Sequence, residues 1–319
     1  MANAALERNP YFNGTASQQP AYAQQGGAAQ FGAQQQAAPG WQQPGAPQYG
    51  TPQYGAQTGW QQPGPQQQYA PSADALNHQY GMPAASADQM DRMSVEDTLA
   101  KSAMLFGIVL VTAVVNWFIT VAQPALGLGL AIAGSFAALI IGLVLAFGKQ
   151  VRVPLIMVFA VAEGLLVGGY SAYLEAFFPG VVIQAVLATF VVVGVTLALF
   201  TSGKVRTSPK VTKFFLIAGL SYLVFSLINF GLMAFNVMDN PWGMRGVEIF
   251  GIPLGVFLGI FAVVMGAYML IADFEFIQQG SRNGAPRVYG WLGAYALVSS
   301  VVYIYLELLR LIAIMRSND

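Results

Sequence analysis

The stretch that decides the fold is Ala103–Ala122, AMLFGIVLVTAVVNWFITVA, which runs without a single charged residue. A helix rises about 1.5 Å per residue, so about twenty apolar residues cross the hydrocarbon core of a bilayer. Lipid offers no partner to backbone polar groups, so each such stretch must be a helix. The sequence predicts an all-α, polytopic membrane protein with a seven-transmembrane-helix bundle. The six further stretches are Gly127–Phe147, Val153–Ala172, Val181–Phe200, Phe214–Phe235, Ile249–Ile271 and Gly290–Ile314.

Composition excludes several classes of function. The chain is 55% apolar and 9% charged, whereas soluble domains carry about 25% charged residues. Its formal net charge of zero argues against a nucleic-acid partner. The chain has no cysteine, and its one histidine, His78, precedes the helices, which excludes disulfides, thiol catalysis and histidine-based metal or catalytic clusters. We therefore expect no enzymatic activity and no cofactor.

The N-terminal segment, residues 1–90, differs in composition from the helical domain at residues 91–319. It is rich in Gln, Gly, Pro and Tyr, and the hexapeptide GWQQPG occurs at both 40–45 and 59–64. Such a sequence buries too little apolar surface to offset the entropy lost on ordering. We expect a disordered tail that acts either as a passive tether, the favoured reading, or as an interaction arm. After the tail, Ser94 and Asp97 form a capping-box pattern, which predicts that the first helix begins near Val95.

Lysine and arginine residues are distributed unevenly between the two sides of the predicted bundle. One side would hold ten of them and the other only two, Arg245 and Arg316. Basic loops stay in the cytoplasm, so we expect a multi-pass membrane protein with a cytoplasmic N-terminus and an external C-terminus. The ten are Arg92, Lys101, Lys149, Arg152, Lys204, Arg206, Lys210, Lys213, Arg282 and Arg287.

Ionisable residues within membrane spans are costly and mark candidate functional sites. Asp273 follows Gly251, Gly255, Gly259 and Gly266 at helical spacing, which places all five on one stripe. A glycine stripe lets a neighbouring helix approach closely, so Asp273 would point into the protein. The alternative, equally weighted, is an acidic residue at the cytoplasmic end of a helix.

Three more ionisable residues lie in the predicted spans. Glu307 shares a stripe of small and polar residues with Gly293, Ala296, Ser300 and Tyr303. Arg310 is three residues beyond Glu307, and the two could simply neutralise each other on one helix face. The third residue, Glu163, lies mid-span before the Gly164-xxx-Gly168 pattern. It is either a proton or ion ligand or a protonated buried carboxyl.

At the last two helices the sequence resembles the Bax-inhibitor-like family, also called the transmembrane BAX-inhibitor-motif family. In this family the sixth helix ends in an apolar run, then Asp, then either an aromatic residue or Thr, and, after two further residues, Ile. The corresponding stretch here is Leu270–Ile277, LIADFEFI. Its last helix carries an aromatic-Leu-Asp-Phe-Ile motif, here Tyr305–Leu311, YLELLRL. The resemblance covers residues 90–315 and leaves out the tail. The seven spans, the loop charges and the Glu163-Gly164 pair are similar to those of bacterial members, which implies the bacterial plasma (inner) membrane as the location.

The resemblance implies a calcium leak gated by an acidic pair that senses pH. Carried onto this chain, the pair is Asp273 and Glu307, with calcium as the transported ion. Glu stands where the family has Asp, and the two residues are 34 apart, about ten more than in the family. With the sixth span ending at Ile271, the two carboxyls would lie at different depths. If they do not meet, Glu163 or Glu275 becomes the partner of Asp273.

A second class of function is kept open beside the ion leak. The chain could be a membrane-embedded regulatory or interaction protein without transport activity. Bacterial relatives are linked to membrane protein quality control, so the resemblance implies a membrane protease or other membrane proteins as partners, besides the lipid bilayer itself.

Overall fold

The computed structural model describes residues 91–148, 150–238 and 240–317. The expected disorder of residues 1–90 lies outside these ranges. Within them, seven helices are long and apolar enough to cross a membrane, which confirms the predicted fold class. They are α1 (Val95–Ala122), α2 (Pro124–Phe147), α3 (Val153–Phe177), α4 (Val181–Thr201), α5 (Pro209–Ala234), α6 (Leu254–Arg282) and α7 (Tyr289–Arg316).

The start of α1 is fixed by its cap. The side chain of Ser94 accepts a hydrogen bond from the backbone N–H of Asp97 at 3.1 Å, so the predicted start at Val95 is confirmed. Only half of the capping box forms, because the Asp97 carboxylate instead pairs with Lys101 and with Arg287. This carboxylate therefore ties α1 to the segment that precedes α7.

Successive helices run in alternate directions, so the bundle has two ends. We call the end that holds the start of α1 and the α6–α7 connection the basic end, and the opposite one the far end. At the basic end, Met93 N–H donates to Ala285 at 2.7 Å and Arg287 N–H donates to Asp91 at 3.0 Å. The short segment before α1 thus pairs with the α6–α7 connection, in an antiparallel bridge between Arg92 and Pro286.

Glycines let two pairs of helices pack closely. On α3, a Cβ atom added to Gly164 would lie 2.6 Å from the Val109 carbonyl of α1. On α6, a Cβ at Gly259 or Gly266 would lie 3.1 or 2.7 Å from side chains of α7. The predicted glycine stripe of α6 therefore does face another helix. The fully buried side chains of this seam include Leu270, Ile304 and Leu309.

Helix α6 occupies a different range from the predicted sixth span, Ile249–Ile271. Residues before Leu254 form a two-stranded hairpin, Glu248–Ile249 with Ile252–Pro253. Its turn residues, Phe250 and Gly251, have φ values of 56° and 78°, as a tight hairpin turn requires. Gly251 therefore lies outside the helical stripe. At its other end, α6 continues eleven residues beyond Ile271 to Arg282.

Helix α5 packs more loosely than the others. Of the 18 most apolar consecutive residues of α5, 11% are buried, whereas the corresponding shares are 39% for α6 and 50% for α7. Asn229 is its one buried residue. Polar side chains connect it to the bundle, among them Tyr222, Ser226 and Thr212. Phe215 also lies against the rings of Phe261 and Tyr268 of α6. We conclude that hydrogen bonds and a few ring contacts hold α5 at separate points along its length.

Candidate functional site

Two carboxyl groups from different helices reach the same turn of α7. Ser300 Oγ donates to Asp273 Oδ2 of α6 at 2.5 Å. The neighbouring Ser299 is within hydrogen-bonding reach of the Glu163 carboxyl of α3. Tyr295, one turn earlier on α7, interacts electrostatically with both carboxyls. The structure thus gathers Glu163 and Asp273 around two adjacent serines.

The depths of these residues agree. Glu163 is ten residues from the basic end of α3, Asp273 is nine from that end of α6, and Ser299 is ten from that end of α7. At 1.5 Å per residue each lies about 15 Å along its helix from the basic end. The carboxyl groups therefore form one layer near the middle of the bundle. The depth difference expected between Asp273 and Glu307 becomes smaller because α6 continues to Arg282, but about two turns of α7 still separate them.

Glu163 is the more enclosed of the two acids. Its residue is 7% exposed, and its Oε2 atom is buried without a hydrogen-bond partner among the described residues. At the adjacent Gly164, α1 approaches α3 closely. A carboxyl oxygen that is buried without a partner is suited to hold a proton or to contact a cation.

Glu307 belongs to a second polar network toward the far end. Both of its carboxylate oxygens accept from Arg310 Nη1, at 2.9 and 3.1 Å, and Tyr222 Oη of α5 donates to Oε2 at 2.6 Å. The predicted pairing of Glu307 with Arg310 is therefore confirmed. Tyr170 of α3 is also within hydrogen-bonding reach of Arg310.

The structure does not bring Asp273 and Glu307 together. Ser300, which binds Asp273, and Glu307 are seven residues apart on α7, or about 10 Å along the helix. Each carboxylate has its own hydrogen-bond partners. The direct contact between Asp273 and Glu307 that the resemblance implies is therefore not formed, and the other acid nearest the Ser299–Ser300 turn is Glu163.

Glu275 has a structural contact of its own. Its carboxylate accepts from the backbone N–H of Thr207 at 2.9 Å and from the Thr207 hydroxyl. These bonds fasten the α4–α5 connection to α6 at the basic end. Glu275 thus faces away from the layer of Glu163 and Asp273, although it is only two residues from Asp273.

Several residues of these networks were not singled out from the sequence. Ser299 and Tyr222 are polar residues within apolar runs, a signal that is easy to miss because single polar residues are common in membrane helices. Arg245 was counted only as a loop charge, yet it is 5% exposed. A loop arginine that folds back into the bundle gives no periodic signal in the sequence.

No group of three or more Asp, Glu or His residues is arranged as a metal site within the described ranges. A cation at the carboxyl layer would instead meet two carboxyl groups and two hydroxyls. Such a sparse set of oxygen ligands is weaker than the six to eight that resident calcium takes. These four groups are compatible with a cation that binds only transiently.

The seven helices and their buried carboxyl layer define a polytopic helical membrane protein with an ionisable interior. The family model described as Bax inhibitor 1 like matches residues 9–317, so the chain belongs to this family. The match extends into residues 9–90, which the motifs of the last two helices did not reach. No curated protein and no solved structure matches the chain.

Proposed function

We propose that this protein is a pH-sensitive leak for calcium or another cation, with Glu163 and Asp273 as its acidic pair. The observation that carries the proposal is the contact of these two carboxyls with the adjacent Ser299 and Ser300. Membership of the Bax-inhibitor-like family supports it. The proposal includes no catalytic step and no cofactor.

The pair would sense pH through electrostatic repulsion. When two carboxyl groups lie in one low-dielectric layer, ionising both costs more than ionising one. As the pH rises, the last proton leaves this layer and two negative charges lie beside Ser299 and Ser300 of α7. Repulsion then favours separation of α3 from α6, and the same charges attract a cation. The leak should therefore differ between about pH 6 and 8, a range that a buried carboxyl can reach.

Transport across reconstituted liposomes tests this assignment. We expect calcium flux through the full chain to change severalfold between about pH 6 and 8. Asp273→Asn and Glu163→Gln should each abolish that dependence, because they keep the shape and remove the charge. Glu275→Gln is the matched control, since Glu275 is a neighbouring carboxylate bound to Thr207. An unchanged pH response in Asp273→Asn would falsify the sensor.

The variant Glu307→Gln shows whether Glu307 is the partner of Asp273 or only the partner of Arg310. If Glu307 were the partner of Asp273, this variant would also lose the pH response. If its role is to neutralise Arg310, as its contacts support, the variant should be less stable and should keep the response in whatever fraction remains folded.

We further propose that the protein lies in a bacterial plasma membrane with its basic end in the cytoplasm. The support is the excess of Lys and Arg at that end. A reporter enzyme fused after Ser317 should behave as translocated, and one fused ahead of Asp91 should behave as cytoplasmic. The reverse result would contradict the orientation.

A regulatory role without transport is the second candidate, and one observation favours it. The segment that joins the N-terminal tail to α1 pairs with the α6–α7 connection at Arg92 and Pro286, and Met93 is 1% exposed there. A partner that binds the tail, such as a membrane protease, could act on α6 through this contact. Absence of flux with or without residues 1–90, together with capture of a membrane partner through them, would favour this role.

A further inference from the structure

The α5–α6 connection brings a second arginine to the far half of the bundle. Arg245 lies in a short 3₁₀ turn, Gly243–Gly246, that folds inward from the far end. Its guanidinium donates to Ser226 Oγ at 2.7 Å and lies over the rings of Tyr222 and Phe225, at 5.1 and 5.6 Å. Tyr222 is also a partner of Arg310 and Glu307. The two arginines therefore share one network.

The charges in this network do not balance. Arg245 and Arg310 contribute two positive charges, and Glu307 contributes one negative charge. Among the described residues, Glu307 pairs with Arg310, and Arg245 takes part in no ion pair. An aromatic face offsets part of a buried cation's lost hydration, and a neutral hydroxyl offsets less. Within residues 91–148, 150–238 and 240–317, one buried positive charge is thus left without a negative partner.

The protonation of Arg245 does not remove this imbalance. Burial and the neighbouring Arg310 guanidinium lower the pKa of Arg245. An arginine nevertheless stays protonated in proteins because its pKa starts so far above neutrality. The excess charge is therefore permanent, in contrast to the carboxyl layer, whose charge can be neutralised by a proton.

A hydrogen-bond donor without an acceptor points to the same place. The Tyr303 hydroxyl of α7 is buried without a partner among the described residues. It interacts electrostatically with Glu307, Tyr222, Arg310 and Arg245. A phenol can donate one hydrogen bond, so an acceptor is missing where the positive charge is in excess.

We propose that a small monovalent anion of the halide class binds between Arg245, Arg310 and Tyr303. The anion would neutralise the excess charge and accept the free hydrogen bond of Tyr303. Arg245 is only 5% exposed, which favours a single-atom anion over a lipid headgroup. The turn that carries Arg245 belongs to the far end, so the anion enters from that side. This site is separate from the Glu163–Asp273 layer and does not depend on cation transport.

Thermal unfolding of the full chain in detergent tests the site with chloride and bromide as probes. Gluconate, an anion much larger than a single halide ion, is replaced stepwise by either halide at constant ionic strength. A ligand that binds only the native state raises the unfolding temperature with its concentration. We expect this rise to begin in a defined halide range, and the chlorine NMR line of chloride should broaden in the presence of the protein.

Two variants and two matched controls locate the binding. Arg245→Gln should abolish the halide response, whereas Arg316→Gln, at an exposed arginine of the same end, should keep it. Tyr303→Phe should weaken halide binding by about tenfold, the value of one hydrogen bond to a charged group. Tyr295→Phe, which removes a hydroxyl from the carboxyl layer, should leave halide binding unchanged.

The proposal fails if unfolding temperatures are equal in gluconate and in chloride. It also fails if Arg245→Gln responds to halide as the unaltered chain does, because the effect would then be a general one of salt. If Arg245→Gln does not fold, the variant Tyr303→Phe decides the matter. If this variant binds chloride as tightly as the unaltered chain, water rather than an anion occupies the space, and the proposal fails. None of these readouts involves flux, so they are independent of the proposed leak.

Discussion

Helices α6 and α5 both face α7, but they contact it in different ways. α6 presents glycines: a Cβ at Gly255 or Gly266 would lie 2.6 or 2.7 Å from an isoleucine side chain of α7. α5 presents a tyrosine hydroxyl that binds Glu307 and Arg310, and its own Gly231 has no atom within 4 Å of an added Cβ. One interface is held by close packing, and the other by hydrogen bonds.

The difference shows how a membrane protein can combine a fixed interface with an adjustable one. Inside a bilayer the hydrophobic effect does not drive helices together, so packing of small residues and polar bonds must do so. Close packing fixes the distance between α6 and α7 over many residues, which holds Asp273 against Ser300. Hydrogen bonds fix α5 only where they occur. We expect any helix movement at the Glu307 network to involve α5 before α6.

The largest expected effect comes from the Glu307–Arg310 ion pair of α7. Glu307→Gln leaves Arg310 without its carboxylate, and removal of one partner from a buried ion pair costs about 3–5 kcal/mol. The free energy of unfolding in detergent should fall by that amount. The double variant with Arg310→Gln should recover much of the loss, since no unpaired charge then remains beside α5. Equal losses in the single and double variants would mean that the pair contributes through packing alone.

A matched pair of glycine substitutions compares the two interfaces directly. Gly266→Ala should destabilise the protein by about 1–3 kcal/mol, because the new methyl overlaps Ile304 and Tyr303. Gly231→Ala should be neutral or stabilising by up to about 1 kcal/mol, because alanine is the better helix former and has room. Thermal unfolding measures both. Losses of the same size at the two positions would contradict the contrast between α6 and α5.

Removal of a single oxygen atom should weaken the hydrogen-bonded interface between α5 and α7. Tyr222→Phe removes the hydroxyl that joins α5 to Glu307 and Arg310, and we expect a loss of about 1–3 kcal/mol. Spin labels on α5 and α7 should show a broader distance distribution in this variant, while labels on α6 and α7 should not. Tyr173→Phe is the control, since Tyr173 is exposed and in ring contact with Phe177.

The smallest effect should follow from removal of the tail. Both interfaces and all seven helices lie after residue 90, and the cap of α1 is made by Ser94 and Asp97. Deletion of residues 1–90 should change the unfolding free energy by less than about 0.5 kcal/mol and leave membrane insertion intact. A chain that no longer inserts would show that the tail takes part in folding of the bundle.

The sequence was sufficient for much of this architecture. The number of spans, the start of α1 at Val95 and the internal glycine face of α6 follow from local patterns. Those patterns report length, capping and periodicity, and such properties belong to single helices. The Glu307–Arg310 pair follows equally, because residues three apart on a helix face each other wherever the helix lies.

The sequence could not fix where α6 begins and ends. The apolar run stops at Ile271, whereas the helix continues through Asp273 and Glu275, whose carboxylates accept hydrogen bonds from the Ser300 and Thr207 side chains. The expected pairing of Asp273 with Glu307 does not form, although the longer α6 reduces their difference in depth. Asp273 meets α7 at Ser300, two turns before Glu307.

By itself the sequence determined a seven-helix membrane protein and the acidic residues that its interior must accommodate. This follows because the cost of exposing a peptide group or a charge to lipid is paid by each segment separately. Only the tertiary structure decided that Glu163 and Asp273 reach adjacent serines of α7 and that Arg245 and Arg310 share Tyr222. The two pairs are 110 and 65 positions apart in the sequence, and their placement depends on how the helices pack, which no local pattern encodes.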